Sequence, residues 1–210
     1  MSSLRRRELL RLALGAALLP VARFTQAEQR VVTPEQMQGP FYPLEFPLDK
    51  DSDLTTFAGR EGVAFGQIVT VSGQVLDANS RPQSSARVEI WQVNGHGRYH
   101  HQNDSSPHPI DPNFQGYGVV LTDGDGRYSF RTVKPVAYPG RAPHIHFAIT
   151  PPSGRKLITQ MYVAGAREND RDFLLSGIRD KAQRASLIVS FETVQGGGEQ
   201  AGEFNIVLPG

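Results

Sequence analysis

From about residue 65 onward, apolar and polar residues alternate in short runs, and a period of two is what a half-buried β-strand requires. The alternation predicts strands over residues 68–76, 86–93, 127–132, 144–150 and 157–163, with closing strands over 187–192 and 204–208. The first two flank Asp77-Ala78-Asn79-Ser80-Arg81-Pro82, a run with turn chemistry, and read as neighbours in one sheet. Thr122-Asp123-Gly124-Asp125-Gly126 is a tight turn into the third strand; it lacks the spaced oxygen ligands and closing glutamate of a calcium loop. Residues 171–184 carry a mixed pattern with helical character. The fold class that follows is all-β: an antiparallel β-sandwich core with long loops and a short helical segment near the C-terminus.

Three stretches depart from the alternation. Residues 94–117 are polar and too long for an ordinary connection, which marks them as functional. Residues 28–65 are rich in proline, glycine and acidic groups, with Gly39-Pro40-Phe41-Tyr42-Pro43 as a stiff aromatic turn, and read as an arm lying over the core formed by residues 66–210. Residues 1–27 place Arg5-Arg6-Arg7-Glu8-Leu9-Leu10-Arg11 before an uncharged apolar run over 12–22 and end at the small residue Ala27. That run is shorter than the roughly 20 residues a membrane span needs, and the order of charge, apolar run and small residue is that of a cleaved export signal. Its arginine pair resembles twin-arginine signals, which implies delivery to the periplasm in folded form. A basic surface helix or a disordered leader are the plainer alternatives.

The 210 residues suffice for one domain with a sizeable core. The chain has no cysteine, so disulfides and thiolate-held metals are excluded and any metal must rest on His, Tyr or carboxylate. Residues 1–27 hold five of the 22 basic and one of the 21 acidic residues, so the remainder carries 17 and 20, a net charge of −3. Nucleic acid is not an expected partner, because the basic surplus that phosphate binding needs is missing. After residue 27 no stretch is long and apolar enough to predict a membrane span.

The chemistry-bearing feature is His144-Ile145-His146, at the start of a predicted strand, where two histidines two positions apart aim at one spot. A pair satisfied by hydrogen bonds in the core and a pair of metal ligands are both open on this pattern alone.

In chain order, Val88-Glu89-Ile90-Trp91-Gln92-Val93-Asn94, Gly97-Arg98-Tyr99, Asp111-Pro112-Asn113-Phe114, Tyr128-Ser129-Phe130-Arg131-Thr132, Tyr138-Pro139, His144-Ile145-His146-Phe147 and Leu157-Ile158-Thr159-Gln160 resemble the intradiol ring-cleavage dioxygenases. The likeness is greatest to the iron-bearing subunit of the protocatechuate-cleaving branch and runs from about residue 34 to the C-terminus. It implies a non-haem Fe(III) held by Tyr99, Tyr138, His144 and His146 with a hydroxide, a ligand set that suits a hard trivalent ion. It implies active-site roles for Arg141 and Gln160, and a substrate-bordering role for Gly39 and Pro40. The reaction implied is cleavage of a catechol-type diol by O2 between its hydroxyl-bearing carbons, giving a cis,cis-muconate-type product. Homo- and hetero-oligomers both remain open, since the resembled subunit pairs with a ligand-free relative.

Only Pro139 and Gly140 stand between Tyr138 and Arg141, where better-known members carry a longer, tryptophan-containing insertion that walls the pocket. The identity of the diol is therefore open. Two other readings compete. The runs Val71-Ser72-Gly73-Gln74-Val75 and Asp123-Gly124-Asp125-Gly126-Arg127-Tyr128 also resemble carboxypeptidase-regulatory-like β-sandwich modules, which are non-catalytic. A divalent site of two histidines and one carboxylate would keep the histidine pair, but no carboxylate stands at a motif-supported position.

Overall fold

A computed structural model describes residues 30–47 and 49–210. The export-signal segment, residues 1–27, lies outside the described residues. Two five-stranded sheets face each other. In the first, β1 (Ile68–Leu76) pairs antiparallel with β4 (Arg127–Val133) and, on its other edge, parallel with β9 (Gln200–Glu203) and β10 (Ile206–Val207). Strand β8 (Glu192–Thr193) closes that sheet against β9. The second sheet runs β3 (Tyr117–Leu121), β2 (Arg87–Trp91), β5 (His144–Thr150), β6 (Leu157–Val163) and β7 (Ile188–Val189).

The all-β sandwich expected from the alternation is what forms, with parallel pairings added at β1–β9, β1–β10 and β6–β7. The helical segment resolves into α1 (Phe173–Ser176) and α2 (Lys181–Ser186), each started by an aspartate, Asp172 or Asp180, whose carboxylate accepts two backbone N–H groups. Among the described residues no helix is long and apolar enough to cross a membrane.

One expectation is corrected. Strands β1 and β2 are not neighbours; they lie in opposite sheets. Asp77 Oδ1 accepts from the backbone of Asn79 and Arg81 and closes the turn, and Leu76 then bridges Pro82. Proline has no N–H to extend the ladder, so pairing stops there and the chain crosses to the facing sheet. The predicted sequence strands also omitted β3 and β9; β9 is short and carries Gln200, Gly202 and Glu203, a composition without strand character.

The core lies between the sheets. Val69, Val71 and Val75 of β1 and Phe130 of β4 meet Val88, Ile90, Ile145, Phe147 and Ile149 of the second sheet, all fully buried. Each such side chain contributes about 1.5–3 kcal/mol by leaving water. Because β5 alternates, the residues between these, His144, His146 and Ala148, point to the second sheet's other face. That face is not bare: its strand positions are buried in β5 and largely in β6. The arm covers it, tied by Gln36 N–H to Ile158 O (2.8 Å), Gln160 Nε2 to Met37 O (3.2 Å) and Tyr42 Oη to Glu89 (2.6 Å).

Candidate metal centre

Strand register gathers the site. His146 stands opposite Trp91 on β2 and Gln160 on β6, and His144 opposite Tyr162. All five side chains share the arm-covered face, so three adjacent strands deliver two imidazoles, an amide, a phenol and an indole to one place. Tyr99 comes from the 94–117 loop, held by Asp104 Oδ2 accepting its backbone N–H at 2.7 Å. Tyr138 comes from the loop before β5, where it bridges Arg141 across a turn of two residues.

The donor atoms converge. His144 Nε2 and His146 Nε2 are 3.2 Å apart, and His146 Nε2 is 3.0 Å from Tyr99 Oη. Tyr138 packs edge-on against Tyr99, centroids 5.7 Å apart, and tilted against His144, centroids 5.4 Å apart. Two ligands bonded to one cation at about 2.1 Å and roughly a right angle lie about 3 Å from each other, so these separations fit a shared ion. His144 Nδ1 meets Ala142 O at 2.6 Å, and a carbonyl only accepts, so Nδ1 carries the proton and Nε2 presents its lone pair. His146 differs: its buried Nδ1 meets no hydrogen-bond partner among the described residues, and the ring is held instead by Trp91, stacked on it at 4.8 Å with planes 8° apart.

Electrostatics favour donors that are neutral until a cation arrives. Tyr99, His144 and His146 are 3%, 1% and 2% exposed. Burial, reinforced by the charge of Arg141, pushes the His144 imidazole down to about 4. Burial and then the His144 charge push His146 well below its ordinary value. Burial raises the phenol of Tyr99 strongly and that of Tyr138 as well, against the opposing pull of the Tyr99 hydroxyl and Arg141. A bound cation reverses this balance for the phenols, as it does for any ligand that must shed a proton.

Arg141 is no surface ion pair. Its side chain is 11% exposed, its Nε donates to the fully buried Asp172 at 2.8 Å, and its Nη2 donates to Gln160 Oε1. Asp172 also accepts the Ala142 N–H at 2.9 Å while starting α1, so one carboxylate fixes the loop, the guanidinium and the helix. Burial opposes its charge, but those N–H groups and Arg141 outweigh it and hold its pKa below the usual range. Gly39 lies over His146: with φ at +75°, a Cβ there would sit 3.3 Å from His146 Cε1. Pro40 follows in the same turn and is exposed.

Asp172, Trp91 and Tyr162 belong to the neighbourhood, and residue-type reasoning did not single them out as site residues. Tyr162 Oη lies 3.1 Å from Gln160 Oε1, and the period of two from Gln160 was the signal that could have found it. Trp91 was findable once β2 was paired with β5. Asp172 had no sequence signal, since a helix-capping aspartate is common. Among the described residues no three His, Cys, Asp or Glu side chains gather to hold a metal, so a two-histidine, one-carboxylate site lacks its carboxylate.

A β-sandwich whose outer sheet face gathers two histidines and two tyrosines beneath an arm defines the class. A family model described as Dioxygenase matches residues 37–210, and the chain belongs to the intradiol dioxygenases, which are oxidoreductases. It is similar to the protocatechuate 3,4-dioxygenase beta chain of Burkholderia cepacia, with 39% identity over 180 residues, 81% of this chain and 77% of that one. It is also similar to the hydroxyquinol 1,2-dioxygenase of Nocardioides simplex, with 30% identity over 219 residues, 94% of this chain and 68% of the relative. Among solved structures, the dioxygenase domain of a dioxygenase and carbohydrate-binding fusion from Streptomyces sp. SirexAA-E superposes with a TM-score of 0.67 at 28% identity, covering 85% of this chain and 99% of that domain. The non-catalytic binding-module reading gains no support from these likenesses.

Proposed function

We propose that this chain cleaves a catechol-type diol with O2 between the hydroxyl-bearing carbons, using Fe(III) held by Tyr99, Tyr138, His144 and His146. The observation that carries the reading is that Tyr99 Oη and His144 Nε2 lie 3.0 and 3.2 Å from His146 Nε2 in a buried face of an intradiol dioxygenase fold. When bound by these four side chains, the ion would supply Lewis acidity that stabilises the deprotonated diol and activates it toward O2.

The chain's own groups do the rest. His144 is kept neutral by burial and oriented by Ala142 O, so its lone pair is ready without a proton to lose. Tyr99 is the anchored phenol, buried and fixed from behind by Phe41, stacked at 4.5 Å. Tyr138 is the less buried phenol, on a short loop; deprotonated when it holds the ion, its Oη would be the atom that takes up a proton from the incoming diol. Arg141 places a fixed positive charge beside the ring; because Asp172 and Gln160 pre-orient it, no reorganisation is needed as negative charge develops. Gly39 roofs the site, its lack of a side chain leaving room for a planar ring, and Pro40 stiffens the turn that carries it.

The relatives' names, protocatechuate and hydroxyquinol dioxygenases, support an aromatic diol as the substrate class. Residues 1–27 are proposed as the export signal that takes the folded protein to the periplasm, residues 28–65 as the arm and 66–210 as the catalytic sandwich. The decisive experiment incubates iron-loaded protein with catechol under O2 and identifies the product. A cis,cis-muconate supports the reading. No ring-opened product, or a product opened beside the diol, contradicts it.

A further inference from the structure

A buried carboxylate lies outside the proposed chemistry. Glu89, in the middle of β2, has a side chain only 1% exposed and shares the outer sheet face with Trp91, two residues on. One oxygen, Oε1, accepts from Tyr42 Oη at 2.6 Å and from Tyr117 Oη at 2.7 Å. The other faces Arg87, with Lys156 Nζ 3.8 Å away. Burying a charge is costly, and apolar residues would fill this face more cheaply. What sets Glu89 apart is its reach into the arm.

Among the described residues, the bond from Tyr42 is the one side-chain hydrogen bond that ties residues 38–47 to the sandwich. Those residues form the roof. Phe41 stacks on Tyr99, Gly39 stands over His146, and the Tyr42 ring meets Trp91 edge-on at 5.0 Å. Trp91 in turn lies flat on His146. Position therefore passes from Glu89 through Tyr42 to both the roof and the indole beside the candidate ligand.

We propose that Glu89 and Tyr42 are positioning residues: the carboxylate latches the tyrosine, and the latch sets the height of the Gly39–Phe41 roof over the site. The kinetic part of this inference rests on the iron-dependent diol chemistry proposed above; the latch itself does not. A latch on the roof acts on binding of the diol more than on the chemical step, because His144 and Arg141 are held by Ala142 O, Asp172 and Gln160, outside the roof.

The chain's only tryptophan makes the test direct, since Trp91 is 1% exposed beneath Tyr42. Acrylamide quenching of Trp91 fluorescence is measured on metal-free wild type, Tyr42→Phe and Tyr117→Phe. Both substitutions remove one hydroxyl from the same carboxylate oxygen and keep the ring, but only Tyr42 belongs to the arm. Tyr42→Phe is expected to raise the quenching constant several-fold and Tyr117→Phe to leave it within twofold. On iron-loaded protein, Tyr42→Phe should raise KM for catechol roughly tenfold with kcat within about twofold, the size expected for one hydrogen bond to a charged group. Glu89→Gln keeps an acceptor for Tyr42 and should fall between Tyr42→Phe and wild type. Equal quenching for the two tyrosine variants, or no rise in Tyr42→Phe, overturns the latch. A quenching rise confined to Tyr42→Phe supports it even if the wild type fails to turn catechol over, a failure that counts against the proposed function alone.

Discussion

Gly39 faces His146 across the roof of the site: with φ at +75° a Cβ on Gly39 would come to 3.3 Å from His146 Cε1. Trp91, stacked on the imidazole at 4.8 Å, resists its displacement. Gly39→Ala therefore carries two costs, about 1 kcal/mol for a left-handed backbone and the displacement of a candidate ligand. Thermal unfolding should show a small loss of stability, and kcat/KM for a diol should fall roughly tenfold or more. An alanine variant with wild-type kinetics would show that the roof does not bear on the site.

Arg141 and Asp172 are coupled by burial. Arg141→Ala strands a fully buried carboxylate that still accepts from Ala142, and should destabilise the fold by about 3 kcal/mol. Iron content should be unchanged while turnover falls roughly a hundredfold, the scale of losing one fixed charge next to reacting atoms. Arg141→Lys keeps the charge but not the fork that joins Asp172 to Gln160, and should recover only part of the rate. Metal analysis beside steady-state kinetics reads both; an unchanged rate in Arg141→Ala rejects its role.

Stability of the metal-free protein should fall on the acid side of neutrality. The folded pKa of His144 is about 4 and that of His146 is also depressed, both by burial first. Below about pH 6.5 the unfolded chain binds protons that the folded chain refuses, so folding loses free energy as pH drops. For His144 that loss builds between about pH 6.5 and about 4 and reaches about 3 kcal/mol. Asp172, whose pKa is lowered in the fold, adds a further loss below about pH 4. Urea midpoints at pH 7 and pH 5 measure the first effect, and equal midpoints would contradict the buried neutral histidines.

Much of this was legible in the chain, for definable reasons. Strands β1, β5 and β6 match the expected bounds because each is a run rich in β-branched and apolar residues set between turn residues. The convergence of His144, His146 and Gln160 follows from the period of two once β5 and β6 pair. Placing β1 beside β2 failed because pattern gives faces, not partners, and the stop imposed by Pro82 is a three-dimensional fact. Glu89 was hidden for a similar reason: a glutamate in an alternating strand reads as solvent-facing until the arm is seen to cover it. The roles of Asp172 and Tyr162 depend on a loop and a strand that meet only in the fold.

Tyr99→Phe separates ligation from packing. The ring stays stacked on Phe41 at 4.5 Å, so folding should be nearly unaffected, while one donor is lost. Purified Tyr99→Phe should lack stoichiometric iron, as should His146→Ala. Tyr128→Phe, whose hydroxyl donates to Phe204 O in the core, should keep its iron and lose only stability. Full iron in Tyr99→Phe would remove that residue from the ligand set.

In the proposed function, Tyr99, Tyr138, His144 and His146 hold Fe(III) where a diol can reach it. A visible absorption spectrum with metal analysis of the purified protein, before and after anaerobic addition of catechol, reads both the ion and its ligands. The predicted result is one iron per chain and a tyrosinate-to-Fe(III) charge-transfer band that shifts when catechol is added. A protein that stays colourless and metal-free after reconstitution with iron, or that holds zinc or colourless ferrous iron instead, would contradict it.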